Sequence, residues 1–419
     1  MINKQPSCQD IFETGLMPID DAKARIALLI TPLSVAETCP IGKSRDRVLA
    51  DDITAPFNVP PYDNSAVDGY AILSQDIPHQ GHKKLVISDT LHAGDNRPCP
   101  LLPEHCIRIM TGAKIPSGAD TVVMQEHAEQ VDDHILIDGQ PKAGDNIRRV
   151  GEDLRTGSII LPQGKCLTAP DIGLLASIGK GEINVKRKLR VAIASTGNEV
   201  FDIGQKPTET GIFDSNRYSL AAALDSPAIE IINLGIIKDD PNLLQHQFQQ
   251  ASEYADVIIS SGGVSVGEAD HTKTALQACG QINFWKLAIK PGRPLAFGRL
   301  NSSLFFGLPG NPVAVMVTFY LFVKPALEQK LGVTLPRLAP TLQAKTVENL
   351  RKKPGRTEIV RGIVQQAENG EWQVKTTGKQ GSGILISMSL ANCFIVLEHE
   401  RGRIKSGETV TVQPFFGLV

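Results

Sequence analysis

The stretch Leu189-Arg190-Val191-Ala192-Ile193-Ala194-Ser195-Thr196-Gly197-Asn198-Glu199 decides how the second half of the chain folds. LRVAIAS is a short apolar run closed by the polar turn STGNE, and it reads as a strand. From here the pattern alternates. A helix is expected near 216–224, a strand at EIINLGII (230–237), a helix at 241–255, a strand at DVIIS (256–260), a helix near 271–279, a strand at SLFFGL (303–308) and a helix from 312. Such alternation predicts an α/β unit with a mainly parallel sheet. Its best-specified helix starts where Asp240 is placed to cap and Pro241 fits the first turn; Leu244, Phe248, Ala251 and Ala255 then form an apolar stripe.

On either side the texture changes. Residues 18–30 (PIDDAKARIALLI) predict a helix with Ile26, Leu29 and Ile30 on one face and a stop at Thr31-Pro32. From about 46 to 168, short β-type runs such as Leu85–Ile87, Cys106–Met110 and Thr121–Met124 are separated by Gly, Asp and Pro turns, and 168–179 reads as one short helix. After about 338 the chain is β again, with Asn369-Gly370 as a tight hairpin turn between TEIVRGIVQQ and WQVKTT. The expected fold class is therefore α/β plus β, multidomain.

Apolar residues make up 42% of the 419, enough for substantial cores, and a rule of roughly 150 residues per domain suggests about three. Lys plus Arg number 43 against 45 Asp plus Glu, a formal charge of −2, so no global field draws the chain to nucleic acid or an anionic membrane. Any anion site must be local. The longest apolar stretch, Val313–Val323, falls well short of the roughly 18 residues that suggest a membrane span. Cys8, Gln9 and Asp10 stand where the apolar part of a secretory leader would begin, so a cytoplasmic protein is expected. Seven cysteines without a C-x-x-C pair argue against both a disulfide framework and a zinc ribbon. His79 and His82 have no thiol nearby and are set aside as metal ligands.

In open α/β sheets ligands lie beyond the carboxyl ends of the strands, so the following loops come first. They hold STGNE (195–199), Lys238-Asp239-Asp240-Pro241, and Ser261-Gly262-Gly263-Val264-Ser265-Val266-Gly267-Glu268-Ala269-Asp270. Beyond these come Lys286, Lys290-Pro291-Gly292-Arg293-Pro294 and Gly307-Leu308-Pro309-Gly310-Asn311-Pro312. The glycine run is no nucleoside-triphosphatase loop, because Glu268 and Ala269 occupy the Lys and Ser/Thr places. Its shape fits a tight turn as well as a phosphate cradle. Glu199, Asp239 and Asp270 lie in three such loops and are the candidates to converge on a divalent cation, although Asp239 and Asp270 stand equally well as helix caps. Lys286, Lys290 and Arg293, three cations within eight residues, suit either an oxyanion or plain solvent. In the β-rich middle, PPYDNSAVDGYA (60–71), MTGA (110–113) and NIRRVGED (146–153) are too polar for core strands and read as functional loops.

Nine segments carry a resemblance: PPYDNSAVDGYA (60–71), RIMTGA (108–113), NIRRVGED (146–153), STGNE (195–199), DSNRYSL (214–220), GIIKDDP (235–241), SSGGVSVGEADHTK (260–273), KLAIKPGRPLAFG (286–298) and GLPGNPV (307–313). In this order across nearly the whole chain they resemble the molybdopterin molybdenumtransferase family, the MoeA-type proteins that include the E domain of gephyrin. The resemblance implies an elongated homodimer. It divides the chain into an α/β molybdopterin-binding-type domain (1–33 plus 185–337), a connecting part (34–54 plus 156–184), a β-rich middle domain (55–155) and a C-terminal β-barrel-like domain (338–419). It implies a transferase of molybdenum-cofactor biosynthesis that uses molybdate and adenylylated molybdopterin, releases AMP, and needs a divalent cation, usually Mg²⁺.

Carried over by position, Asp68, Thr111, Glu199, Asp239 and Asp270 take catalytic places, the last three also as metal ligands. Gly262, Gly263, Ser265, Lys286, Lys290, Arg293, Arg361, Ser382, Pro309, Pro312 and Arg148 take substrate-binding places. Molybdate is a dianion, so an acidic metal subsite and a basic oxyanion subsite are expected apart from each other. The complete cleft is expected to need both subunits. Molybdopterin adenylyltransferase and apo-molybdoenzymes are the implied partners, with neither nucleic acid nor membrane. The alternatives are a nucleotide pyrophosphatase of the same α/β superfamily and a non-catalytic gephyrin-like scaffold.

Overall fold

A computed structural model of the protein describes residues 15–138, 142–262, 280–334 and 340–415. The expected helix at 271–279 and the candidates Gly263, Ser265 and Asp270 lie outside the described residues. The chain divides into two compact units: Met1–Asp51, Gln163–Gly173 and Gly181–Val419 form one, and Asp52–Pro162 with Leu174–Lys180 form the other.

The first unit is built on a six-stranded sheet in the order Ile229–Ile237, Leu189–Thr196, Val257–Ser261, Ser303–Leu308, Pro294–Leu300, Gln281–Lys286. The first four strands run parallel, and the last two are antiparallel to their neighbours. The sheet is thus mainly parallel in its first four strands and mixed overall. Leu189–Thr196 is buried at every position except Arg190, as helices on both faces require. One face is covered by Pro241–Tyr254, whose Leu244, Phe248, Ala251 and the adjoining Ala255 pack on Ala192, Ala194, Ile258 and Phe305. Asp240 caps that helix by accepting from the Leu243 N–H at 2.8 Å.

The other face carries Ile19–Leu28, Asn216–Ala223 and the segment from Pro312. That segment is not one α-helix. Pro312–Thr318 passes through a wide π turn at Phe319–Val323 before Lys324–Lys330 resumes. Pro325 lacks an N–H and its ring crowds the carbonyl one turn back, which accounts for the break.

The C-terminal strands close a five-stranded barrel: Thr357–Gln366, Trp372–Thr376, Leu342–Thr346, Thr409–Pro414, Cys393–Leu397 and back to the first. Ile289–Lys290 adds to it in parallel beside Thr357 and Glu358. The expected hairpin is present, with Gln366 facing Trp372 across a loop of Ala367 to Glu371. One apolar core runs from the α/β sheet into the barrel through Ile359, Met388 and Phe394, the last ring 6.5 Å from that of Tyr320.

The second unit holds a six-stranded sheet in the order Thr121–Met124, Gly69–Ile72, His105–Ile109, Lys83–Leu91, His134–Ile137, Ala128–Val131. Two short antiparallel pairs, Ile53–Thr54 with Ile159–Leu161 and Asn64–Ser65 with Ile147–Arg148, form separate two-stranded sheets in this unit. Among the described residues no helix is long and apolar enough to cross a membrane. Cys39, Cys99, Cys106, Cys166 and Cys393 are free thiols.

Candidate functional site

Parallel register brings three strand ends level: Ser195 is opposite Ser261, and Ser261 is opposite Leu308. Beyond them opens a cleft of about 780 Å³ lined by Glu199, Asp239, Gly262, Lys290, Pro309, Pro312 and the Gln380–Gly383 loop of the barrel. Its floor is polar and firmly bonded. The Ser195 hydroxyl donates to Asp214 Oδ1 at 2.8 Å and lies 3.0 Å from the Ser261 hydroxyl. Asp214 is buried and is held by Arg217, whose Nε donates to Oδ2 at 2.9 Å and whose backbone N–H donates to Oδ1 at 3.1 Å. Asp214 therefore fastens the start of its helix to the strand ends, its charge already matched.

Gly262 turns the chain at the floor with φ +89°, and its N–H donates to the Leu308 carbonyl at 3.1 Å. A Cβ at this position would lie 2.6 Å from the Thr196 carbonyl oxygen. Only glycine combines that backbone with that proximity. Asn216 donates from Nδ2 to the Gly310 carbonyl at 2.7 Å, while its Oδ1 is buried with no partner among the described residues.

On one wall are the carboxylates of Glu199 and Asp239. Desolvation and then the negative charge of Glu199 push the Asp239 carboxyl above its ordinary range, against the Asn198 backbone and Lys238. Asn198 Oδ1 accepts from the Asp239 N–H at 3.2 Å and so ties the two loops together. Two like charges facing one cleft are what a divalent cation with oxygen ligands would relieve. Among the described residues no group of three His, Cys, Asp or Glu is arranged to hold a metal.

Among the described residues the lining also carries one cation. Lys290 lines the cleft and its Nζ lies 3.2 Å from Glu358 Oε2. Lys286 closes the Gln281–Lys286 strand and Arg293 sits across the turn, its carbonyl accepting from the Leu287 N–H at 2.7 Å. Neither lines this cleft, because the turn presents Lys290 alone among the three.

Arg361 is only 1% exposed; its Nε donates to Ser387 Oγ and its Nη2 to the Gly381 carbonyl, each at 3.1 Å. Burial without a carboxylate partner among the described residues pulls its pKa down to about 10. The guanidinium thus supports the Gln380–Gly383 wall from beneath. Ser382, on that wall, accepts through its carbonyl from the Val313 N–H at 3.0 Å and joins the barrel to the start of a helix.

In the second unit the structure brings Asp68 and Thr111 together. The Thr111 N–H and hydroxyl both donate to Asp68 Oδ1 at 2.7 Å. These two bonds, with the charge of Arg108, hold Asp68 below the usual carboxylate range and therefore ionised. Gly69 is required beside it, since a Cβ there would overlap the Val123 carbonyl. The neighbouring loops are latched by Arg149, whose Nη1 lies 2.7 Å from Asp63 Oδ2, while Arg148 is exposed on the short strand opposite Asn64.

The chain matches three family models in succession: the MoeA N-terminal region (domain I and II) at 17–179, the probable molybdopterin binding domain at 192–329, and the MoeA C-terminal region (domain IV) at 343–415. It is 40% identical over 406 residues to the molybdopterin molybdenumtransferase of Haemophilus influenzae, a match covering 96% of this chain and 100% of that one. The chain belongs to the MoeA family. A molybdopterin molybdenumtransferase of a Nostoc species is 34% identical, with 90% of this chain and 88% of the relative covered. Gephyrin of Dictyostelium discoideum is 33% identical over 89% of this chain, which spans 58% of that longer protein. Among solved structures, the molybdopterin biosynthesis moeA protein of Pyrococcus horikoshii superposes with a TM-score of 0.82 at 28% identity, covering 95% of this chain and 100% of that one.

Within this MoeA-family cleft, sequence reasoning singled out Glu199, Asp239, Gly262, Lys290, Pro309, Pro312 and Ser382 and placed the Ser195 loop on the rim, but it gave no site role to Asp214, Asn216 or Gln380, which also line it. DSNRYSL was visible as a polar segment at a helix start. Its linkage to the strand ends through Ser195 depends on residues far apart in sequence.

Proposed function

We propose that the protein transfers molybdenum from molybdate to adenylylated molybdopterin, releasing AMP and molybdenum cofactor. The observation that carries this reading is the cleft itself, whose lining joins two carboxylates and a glycine floor at aligned strand ends with Lys290 and the Arg361-supported barrel loop. The family match covering all of the Haemophilus influenzae relative supports it. Cleaving a phosphoanhydride rests on positioning and charge stabilisation more than on covalent catalysis, and such a cleft is suited to that.

Glu199 and Asp239, with Asp270, would hold Mg²⁺, which neutralises phosphate charge when bound. The floor near Gly262 lets backbone approach the substrate, and the unmatched Asn216 Oδ1 suits a ring N–H donor. Lys290 and Ser382, backed by Arg361, form the oxyanion side, with Pro309 and Pro312 shaping the loop between. Asp68, kept ionised by Thr111, supplies a further negative charge or proton acceptor. We extend the reading to the four-part domain division, a homodimer, a cytoplasmic location, and exchange with an adenylyltransferase upstream and apo-molybdoenzymes downstream. Incubation with adenylylated molybdopterin and Mg²⁺, with and without molybdate, tests it by chromatography of AMP. Molybdate-dependent release is expected; release indifferent to molybdate would instead mark a pyrophosphatase.

A further inference from the structure

A second charged feature lies beside the cleft: a basin of about 550 Å³ lined by Lys290, Arg351, Lys352, Lys353, Arg356 and Arg403. Among the described residues Glu358 is its one acidic lining residue, and that carboxylate is already engaged by Lys290. In a chain whose charges nearly cancel, such a concentration of one sign is local. Lys352 is buried, with Nζ donating to the Arg401 carbonyl at 2.9 Å and the Lys353 carbonyl at 3.1 Å, so it fastens the loop from within. Arg351, Lys353 and Arg403 are exposed and have no ion-pair partner among the described residues.

The basin's chemistry narrows its ligand. Among the described residues Pro354 is its only apolar lining residue and no aromatic ring lines it, so a pterin or adenine has nothing there to stack on. A compact, multiply charged anion fits, and the openness of the wall suits collection rather than tight binding. Lys290 borders both the basin and the cleft, which gives a captured anion a cationic path between them.

We propose that this basin collects a tetrahedral dianion of the molybdate class from solution and passes it along Lys290 into the cleft. The proposal rests on the molybdate-using reading above. Fields of this kind raise association rates and weaken as salt screens them. The test is the KM for molybdate at a series of ionic strengths in the full-length protein and in the variant Arg351→Ala/Lys353→Ala/Arg403→Ala, whose three side chains lie outside the cleft lining. At low salt the variant's KM should rise about 3- to 10-fold with kcat unchanged, and its response to salt should flatten. Equilibrium dialysis with labelled molybdate, and sulfate as competitor, needs no turnover; the variant should retain less molybdate at low salt. An unchanged KM and salt response would overturn the proposal. So would a defect confined to handing cofactor to an apo-enzyme, which would mark the basin as a dock for an acidic protein. Should the wild-type protein release no AMP in response to molybdate, the transferase reading fails and dialysis alone decides the basin: lower retention by the variant supports it, and equal retention overturns it.

Discussion

Gly262→Ala tests whether the cleft floor is as tightly built as the structure shows. The added Cβ would stand 2.6 Å from the Thr196 carbonyl oxygen and 3.0 Å from Thr196 Oγ1, at a backbone φ of +89°. Side chains other than hydrogen cost about 1–2 kcal/mol in the left-handed region. Forcing an atom into a packed site costs about 1–3 kcal/mol more. The strand ends on either side belong to the central parallel pairs of the sheet and have little room to yield. The expected destabilisation is therefore about 2–5 kcal/mol, which at a urea slope of about 3 kcal/mol/M lowers the midpoint by roughly 1 M. Gly310→Ala is the control, because its nearest neighbour is the Gly262 Cα at 3.8 Å and its φ is not in the strained region. That variant should unfold within about 0.5 kcal/mol of wild type. Fluorescence-monitored urea unfolding of both variants decides it, and a wild-type midpoint for Gly262→Ala would refute the reasoning.

Lys290→Ala should raise the molybdate concentration needed for half-maximal AMP release far more than the Mg²⁺ concentration; an equal change in both would abolish the division into acidic and basic subsites. Thr111→Val removes the hydroxyl that holds Asp68 Oδ1, and AMP release should fall about 10-fold or more with the thermal unfolding temperature unchanged. Arg361→Met removes a buried charge together with its bonds to Ser387 and Gly381, so the stability terms partly cancel while the loop wall loosens. Turnover should fall much more than stability, and a loss of folding without a specific activity loss would contradict this. Burial alone would raise the Asp256 carboxyl, but the Arg187 fork at 2.7 and 2.8 Å and the Arg190 N–H outweigh it and hold it low. Such a carboxylate stabilises the fold above its unfolded pKa and loses that contribution as pH falls through its lowered value. Arg187→Gln should cost about 2–3 kcal/mol at pH 7, and chemical unfolding at decreasing pH should show the difference from wild type shrinking.

Local signals carried the parts of the fold that local physics decides. The cap Asp240, Pro241 and the stripe through Phe248 specify one helix almost unaided, and the structure has it at Pro241–Tyr254. The antiparallel half of the sheet was not legible, because nothing local in QINFWK or PLAFGRL names a partner strand. Lys286 accordingly read as part of a loop, where the structure has a strand end. The reading of one helix from 312 passed over Pro325, the local signal for the break; the π turn that precedes it holds Phe319 and Phe322 in the core.

The site shows the same division. Glu199, Asp239 and Gly262 were readable because residues after parallel strands face a common rim. Asp214 and Asn216 were not, since their parts depend on Ser195 and Gly310 folding against them. RKKPGR at 351–356 is a visible charge run, yet Arg403 and Lys290, which complete the basin, arrive from other segments.

The most direct measurement of the central claim is the ratio of AMP released to active holoenzyme formed, when the protein, adenylylated molybdopterin, Mg²⁺ and molybdate are mixed with an apo-molybdoenzyme. The account predicts one AMP per cofactor delivered, and neither product without molybdate. AMP released in the absence of molybdate, or released with no holoenzyme formed, would contradict it.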